Sequence, residues 1–239
     1  MKRQFDDIKV SIITVCYNSV STIEQTILSV IHQTYGNVEY IIIDGGSTDG
    51  TIEIVNKYRD RISKFVSEPD NGIYDAMNKG IGFATGEIIG IINSDDWYDL
   101  DAVELIVSKY CQKRNNTGIV VHGGVRVYKD ERFIWSYCPK ANELYKGMIP
   151  HPSCFVSKSV YDKNGVYDLS YYIAADYDFM LRVFLKNIKF YRIKHNISNF
   201  RIGGVSTQQP IDESERIRNS YNIVNRRSFK KRIKELLKK

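Results

Sequence analysis

Asn93-Ser94-Asp95-Asp96 closes a short run, residues 88–92, that is apolar apart from Gly90. Such a run, bounded by turn residues, reads as a strand buried on both faces of a parallel sheet. In open α/β sheets ligands bind beyond the carboxyl ends of the strands. Two adjacent carboxylates there repel, and they stay ionised most easily with a cation between them and a phosphate. The chemistry expected is metal-assisted handling of a phosphorylated ligand; the alternative is a polar turn whose Asp caps the next helix. Two other apolar runs end in comparable groups, one in Cys16-Tyr17-Asn18 and one in Asp44-Gly45-Gly46-Ser47. Tyr17 could stack on a base, Asp44 could accept hydrogen bonds from a base or ribose, and Gly45 and Gly46 allow close backbone approach. The alternative for Asp44 is that it hydrogen-bonds its own loop.

These groups converge only if their strands are parallel, so the elements matter. Residues 9–15, 38–43, 63–67 and 87–92 read as strands. Between and after them, helical spacing appears at Ile23, Ile27, Val30 and Ile31, over 51–58 and 71–85, and at Val103, Ile106, Val107 and Tyr110. Ser21-Thr22-Ile23-Glu24 has the form of a capping box, and Asp99 is a candidate cap for the later helix. Alternating strand and helix predicts a doubly wound parallel sheet for the first half. The second half is expected to add short strands at 118–122, 124–128 and 132–137, a hairpin turn at Lys129-Asp130-Glu131, a helix over 175–186, and strands at 190–193 and 197–202. The expectation is one α/β domain with a mixed sheet, followed by a helical tail from about Asp212.

The 239 residues suffice for one sizeable core, and 43% hydrophobic with 26% charged residues is ordinary for a soluble globular chain. No apolar run approaches the roughly 18 residues that span a bilayer, and Met1 to Asp7 has no leader-like apolar stretch. Cys16, Cys111, Cys138 and Cys154 are scattered, which suggests reduced thiols in a cytosolic protein rather than a thiolate metal site. The net charge of +6 is uneven: residues 216–239 hold ten Lys or Arg and one acid, Glu235, so the remainder is mildly acidic. That argues against a nucleic-acid-binding body and for a tail that touches something anionic.

Five ordered segments carry a family resemblance: Val10-Ser11-Ile12-Ile13-Thr14-Val15-Cys16-Tyr17-Asn18; Ile43-Asp44-Gly45-Gly46-Ser47-Thr48-Asp49-Gly50-Thr51; Asn71-Gly72-Ile73-Tyr74-Asp75-Ala76-Met77-Asn78-Lys79-Gly80; Ala84-Thr85-Gly86-Glu87; and Asn93-Ser94-Asp95-Asp96. Together they resemble the nucleotide-sugar-binding half of family 2 glycosyltransferases, enzymes of the GT-A fold that include those of bacterial polysaccharide and O-antigen biosynthesis. The resemblance covers about residues 8–205. It implies a GT-A domain over 1–211, with 8–100 holding the nucleotide sugar and 101–211 the acceptor, and a basic tail over 212–239.

The resemblance implies that Val15, Tyr17, Asn18, Asp44 and Gly45 hold the nucleotide, commonly with uracil as base. Asp95, with Asp96 after it, matches the metal-binding end of the DxD motif and would take Mn²⁺ or Mg²⁺. Asn93 stands where many relatives have Asp, leaving the site one carboxylate poorer; it and Ser94 remain donor contacts. Asn78 and Lys79 sit where relatives contact the donor, although Lys79 could be a solvated helix lysine. Further on, Ala174-Ala175-Asp176-Tyr177-Asp178 replaces the Glu-Asp of relatives by Ala175-Asp176, which makes Asp176 the expected general base, with a plain helix cap as the alternative. Asp178 lies two residues on and points elsewhere on a helix. His151, stiffened between Pro150 and Pro152, is expected near the acceptor or diphosphate, unless it is structural. Arg201 with Gly203-Gly204-Val205-Ser206 resembles a loop that closes over the donor, or is an ordinary hinge.

The tail places Phe229, Ile233, Leu236 and Leu237 at helical spacing among lysines and arginines. A basic amphipathic helix of this kind suits an anionic membrane surface, with packing on the body or adhesion to RNA as rivals. The expectation is a cytoplasmic enzyme, peripheral at the inner face of the membrane. It would transfer a hexose or N-acetylhexosamine, with inversion, from a UDP-sugar to a glycan or polyprenyl-diphosphate-linked acceptor. Two rivals are a non-catalytic nucleotide- or glycan-binding module and a sugar nucleotidyltransferase. The latter wants a Gly-rich basic loop after the first strand, which Cys16-Tyr17-Asn18-Ser19-Val20 is not.

Overall fold

In the computed structural model, which describes residues 5, 7–115, 117–204 and 212–223, the expected first-half strands are β1 (Val10–Cys16), β2 (Val38–Asp44), β3 (Lys64–Ser67) and β4 (Ile88–Asn93). They pair in parallel in the order β3-β2-β1-β4. Cys16 lies opposite Asp44 and Val15 opposite Asn93, so the three motif-bearing strand ends are level.

Strand alternation splits the core into two layers. Ile13, Val15, Ile41, Ile43, Ile89 and Ile91 point to one face, where α3 (Ile73–Phe83) and α6 (Ala175–Leu185) pack. Val10, Ile12, Ile42, Ile88 and Ile92 point to the other, under α1 (Ile23–Ile31), α2 (Thr51–Lys57) and α4 (Ala102–Lys113). Within that second layer the Thr14 and Tyr40 hydroxyls bond at 3.0 Å between β1 and β2.

The second half completes a mixed sheet. β5 (Trp97–Tyr98), β6 (Ile119–Lys129), β7 (Arg132–Tyr137), β8 (Cys154–Ser157) and β9 (Lys189–Arg201) extend it in the order β4-β8-β6-β9-β5, with β7 on β6. β8 joins β4 and β6 antiparallel, while β6 and β9 run parallel. Several expectations are corrected here. The strands expected at 118–122 and 124–128 are one strand, as are those at 190–193 and 197–202. Gly123 and Gly124 do not break β6; they lie where β9 shifts register and presses close, a side chain on Gly123 meeting Ile197 at 2.7 Å. β5, β8 and α5 (Lys158–Asn164) are additional elements. The capping box does not form, because the amides of Thr22 and Ile23 both bond the Ser19 carbonyl and Glu24 accepts the Tyr58 hydroxyl at 2.8 Å. Asp101, not Asp99, is the cap position of α4; the Asp99 carboxylate pairs with Arg126 at 2.6 Å. The hairpin turn is as expected, with Asp130 and Glu131 both at positive φ. Of the tail, α7 (Asp212–Ser220) is described; the amphipathic segment with Phe229, Ile233, Leu236 and Leu237 lies outside the described residues.

Candidate active site

A cleft of about 970 Å³ opens at the level carboxyl ends of β1 and β4 and is closed on the far side by α6, the Pro150–Pro152 turn, β7 and the end of β9. Val15, Tyr17, Asn18, Asn93, Ser94, Asp95, His151, Asp176 and Arg201 all line it. These side chains come from both halves of the chain.

Tyr17 is 64% exposed, its ring open to the cleft. Asn18 takes a left-handed backbone, φ 47°, which Asn tolerates better than most residues. Its amide donates to the Ser47 hydroxyl at 2.8 Å and its Oδ1 accepts from the Thr48 amide at 2.9 Å, pinning the β1 loop to the β2 loop. Asp44 does not line the cleft. It is fully buried, and its carboxylate accepts from the Gly46 and Ser47 amides at 3.1 and 2.9 Å and from the Ser67 and Ser47 hydroxyls. Gly45 lies under Asp70, where an added Cβ would stand 2.7 Å from the Asp70 carboxylate. Asp70 faces the cleft beside Tyr17, a carboxylate that sequence reasoning passed over although it immediately precedes the Asn71 motif.

At the end of β4 the two carboxylates have different surroundings. Burial lifts the Asp95 carboxyl above the usual range, opposed by the nearby Arg201 charge. Asp96 is completely buried and lies off the cleft; burial first, and the Asp95 charge second, push its carboxyl well above the usual range. Its Oδ1 accepts from the Arg201 amide at 3.0 Å, while its Oδ2 and the Oδ1 of Asn93 have no hydrogen-bond partner. Arg201 donates to the Asp95 carbonyl at 2.7 Å, to Gln25 and Glu131 at 2.8 Å each, and lies 5.0 Å over the Trp97 ring. Gly204 follows against Asp95, where a Cβ would stand 2.8 Å from Oδ2; Val205 and Ser206 lie outside the described residues.

Across the cleft, Asp176 begins α6. Its Oδ1 accepts the Tyr74 hydroxyl at 2.9 Å and the Tyr177 amide at 2.8 Å. Burial and the Asp176 charge hold the Tyr74 hydroxyl well above its ordinary range, so it remains a donor. Tyr74 sits in the third motif, 102 residues away, and its partnership with Asp176 carries no local sequence signal. His151 bonds the Tyr167 hydroxyl through Nε2 at 3.0 Å, and burial lowers its pKa, so the ring is neutral near pH 7. Asp178 points away from the cleft, accepting from Tyr221 at 2.9 Å and pairing with Arg182 at 3.4 Å. Asn78 and Lys79 are off the cleft as well. Asn78 makes two bonds to the Tyr167 backbone, at 2.9 and 3.0 Å, and Lys79 pairs with Glu68 and Asp75 at 3.0 and 3.5 Å.

Among the described residues no three His, Cys, Asp or Glu side chains gather to hold an ion. Asp95 and the unpartnered Asn93 oxygen are a sparse donor set. Mg²⁺-like ions on nucleotides need only one or two carboxylates, the remaining ligands being phosphate oxygens and water. The residues therefore suit an ion that arrives with a diphosphate, not one held by protein alone.

The Glycosyl transferase family 2 profile matches residues 11–172. An uncharacterized glycosyltransferase of Mycobacterium tuberculosis is 33% identical over 180 residues, 74% of this chain and 69% of the relative. Among solved structures, S. aureus TarS 1-349 in complex with UDP-GlcNAc superposes with a TM-score of 0.69 at 17% identity, covering 88% of this chain. A mannosyltransferase from Pyrobaculum calidifontis, in complex with GDP-Man and Mn²⁺, has a TM-score of 0.63 at 17% identity over 89% of this chain. This chain spans less than two thirds of those two solved chains, 64% and 61%. At such identities the likeness establishes the fold, and it agrees with the curled mixed sheet seen here.

Proposed function

The chain belongs to glycosyl transferase family 2, and from that membership and the layout of its cleft we infer that it transfers a sugar, with inversion, from a UDP-sugar to an acceptor hydroxyl. The observation that carries this reading is one cleft with Tyr17 and Asp95 on the strand ends and Asp176, bonded by Tyr74, on the opposite wall. The donor's base lies against Tyr17 and Asp70, and its diphosphate lies at Asp95. The Asp44 carboxylate shapes the loop beneath and acts on the nucleotide through that loop. Asp95 and Asn93 would hold a Mn²⁺ or Mg²⁺ ion arriving with the donor, and such an ion would supply Lewis-acid stabilisation of the departing diphosphate.

Asp176 takes the proton of the acceptor hydroxyl as that oxygen bonds to the anomeric carbon. The bond from that carbon to the phosphate oxygen breaks, and UDP leaves. A base of this kind contributes on the order of 10²–10⁴-fold. One base and direct displacement lead to inversion. Neutral His151 stands beside the reacting region as a hydrogen-bonding group. The acceptor is a glycan, or a sugar on a polyprenyl diphosphate, and the basic segment 224–239 keeps the enzyme on an anionic membrane surface. No helix among the described residues is long and apolar enough to cross a membrane.

The test is UDP release from a panel of UDP-sugars with Mn²⁺ and with EDTA. Metal-dependent turnover of one donor is expected, reduced at least about 10²-fold in Asp176→Asn with UDP affinity kept. UDP binding with no turnover of any donor, with membrane lipid extract as acceptor source, would favour the binding-module alternative. Full activity of Asp95→Ala in excess chelator would remove the metal from the mechanism.

A further inference from the structure

The cleft also has an aromatic wall apart from the residues assigned to the nucleotide sugar. Trp135 and Tyr137, two apart on β7 and so on one face, line its far wall. Their cross-strand partners on β6, Val127 and Val125, line it too. The rings lie 5.0 Å apart and are tilted by 39°, forming a shallow cup over the two valines. Trp135 is 47% and Tyr137 36% exposed. Large aromatics left open on an edge strand are unusual, since such edges are commonly blunted by charge and large apolar patches mark binding surfaces.

Strand order separates this cup from the base. From β1, which carries Tyr17, the sheet runs through β4, with Asp95, to β8; β7 pairs the same edge of β6 as β8, further along it, because β9 fills the other edge. At roughly 4.8 Å per strand step, β7, level with β8, is about 10 Å along the sheet from β1 and one step beyond β4. An occupant of the cup is therefore on the other side of the diphosphate position from the base.

Resting on the reading of the cleft as a sugar-transfer site, we propose that Trp135, Tyr137, Val125 and Val127 form the acceptor subsite, on which a pyranose ring of the acceptor stacks. The axial C–H bonds of a pyranose make one apolar, positively polarised face, which suits the negative face of an aromatic ring, while its hydroxyls stay at the rim. The tilt lets one ring take the sugar's face and the other its edge. A lipid surface fits less well. Trp135 and Tyr137 face into the cleft; the exposed Phe133 and Ile134 do not line it, Phe133 packing edge-on against Tyr128 and Ile134 lying at the register shift.

The chain has two tryptophans, and Trp97 lies under Arg201, so Trp135 is the exposed reporter. Protein saturated with UDP is titrated with methyl β-glycosides of glucose, galactose and N-acetylglucosamine, following tryptophan emission. A saturable change with at least one glycoside is expected. It should vanish in Trp135→Phe and require about tenfold more glycoside in Tyr137→Ala, with UDP affinity unaltered in both variants. No response to any glycoside overturns the proposal. So does a response to phosphatidylglycerol vesicles in their place, which would mark the hairpin as membrane-facing, or a loss of UDP affinity in either variant, which would assign the cup to the donor. The titration reads binding and not turnover, so a chain that binds glycosides but transfers no sugar would sink the catalytic reading and leave the subsite standing.

Discussion

Asp176 and Tyr74 show how one hydrogen bond can divide two roles. Both described bonds to the Asp176 carboxylate fall on Oδ1, so the base is oriented while Oδ2 keeps its lone pairs for a proton. Tyr74→Phe removes the oriented donor without opening a cavity. The expected result is a fall in kcat of about tenfold, of the size of a hydrogen bond to a charged group, with UDP affinity changed less than twofold. Loss of UDP affinity together with kcat would instead make Tyr74 a general support of the fold. Asp95 and Asp96 divide in another way: Asp96 is sealed in and tied to the Arg201 amide, whereas Asp95 faces the cleft.

At the scale of elements, the site depends on the antiparallel join of β4 to β8. There the first-half sheet, which carries Asp95, meets the second half. Gly90 lies directly opposite Phe155, and a side chain at Gly90 would run into the Phe155 ring. Gly90→Ala is expected to cost about 1–3 kcal/mol, the range for overpacking a filled core, read as a lower urea midpoint with an unchanged slope. An unaltered midpoint would mean that the ring moves aside freely. The same crowding explains why a glycine sits inside a strand that is otherwise isoleucine up to Asn93. Asn78 has a comparable architectural part, tying α3 to the Tyr167 segment by two backbone bonds.

For the whole molecule, the notable liability is His122 on β6. It is 1% exposed and neither ring nitrogen has a partner. Burial lowers its pKa to about 4, with the Arg192 charge adding to that. The unfolded chain, with His near 6.5, binds the proton first, so stability is full above pH 6.5 and declines as pH falls toward 4. The loss approaches about 3 kcal/mol at the low end. Urea midpoints between pH 7 and 4 should show this decline, and His122→Leu should flatten it; an equal slope in the variant would exonerate the histidine. At the other end of the chain, a version ending at Ile223 is expected to keep UDP binding and lose sedimentation with phosphatidylglycerol vesicles. Retained sedimentation would move the membrane contact to the body.

The sequence alone determined the doubly wound first half, the carboxyl-end motifs of β1, β2 and β4, the hairpin turn at Asp130-Glu131, and the family. Burial on both faces writes itself as unbroken apolar runs, and turn residues mark where they stop. What it left undecided depended on partners distant in the chain. Asp44 read as a base contact, with closure of its own loop as the alternative, because a carboxylate looks the same until its donors are placed around it. Gly123 read as a break because a glycine that permits close packing of β9 has the same letter as one that ends a strand. Asp70, the Tyr74–Asp176 bond and the Trp135–Tyr137 cup became visible only once β6, β8 and α6 had folded back against the strand ends. Those juxtapositions arise from non-local pairing, for which local periodicity holds no term.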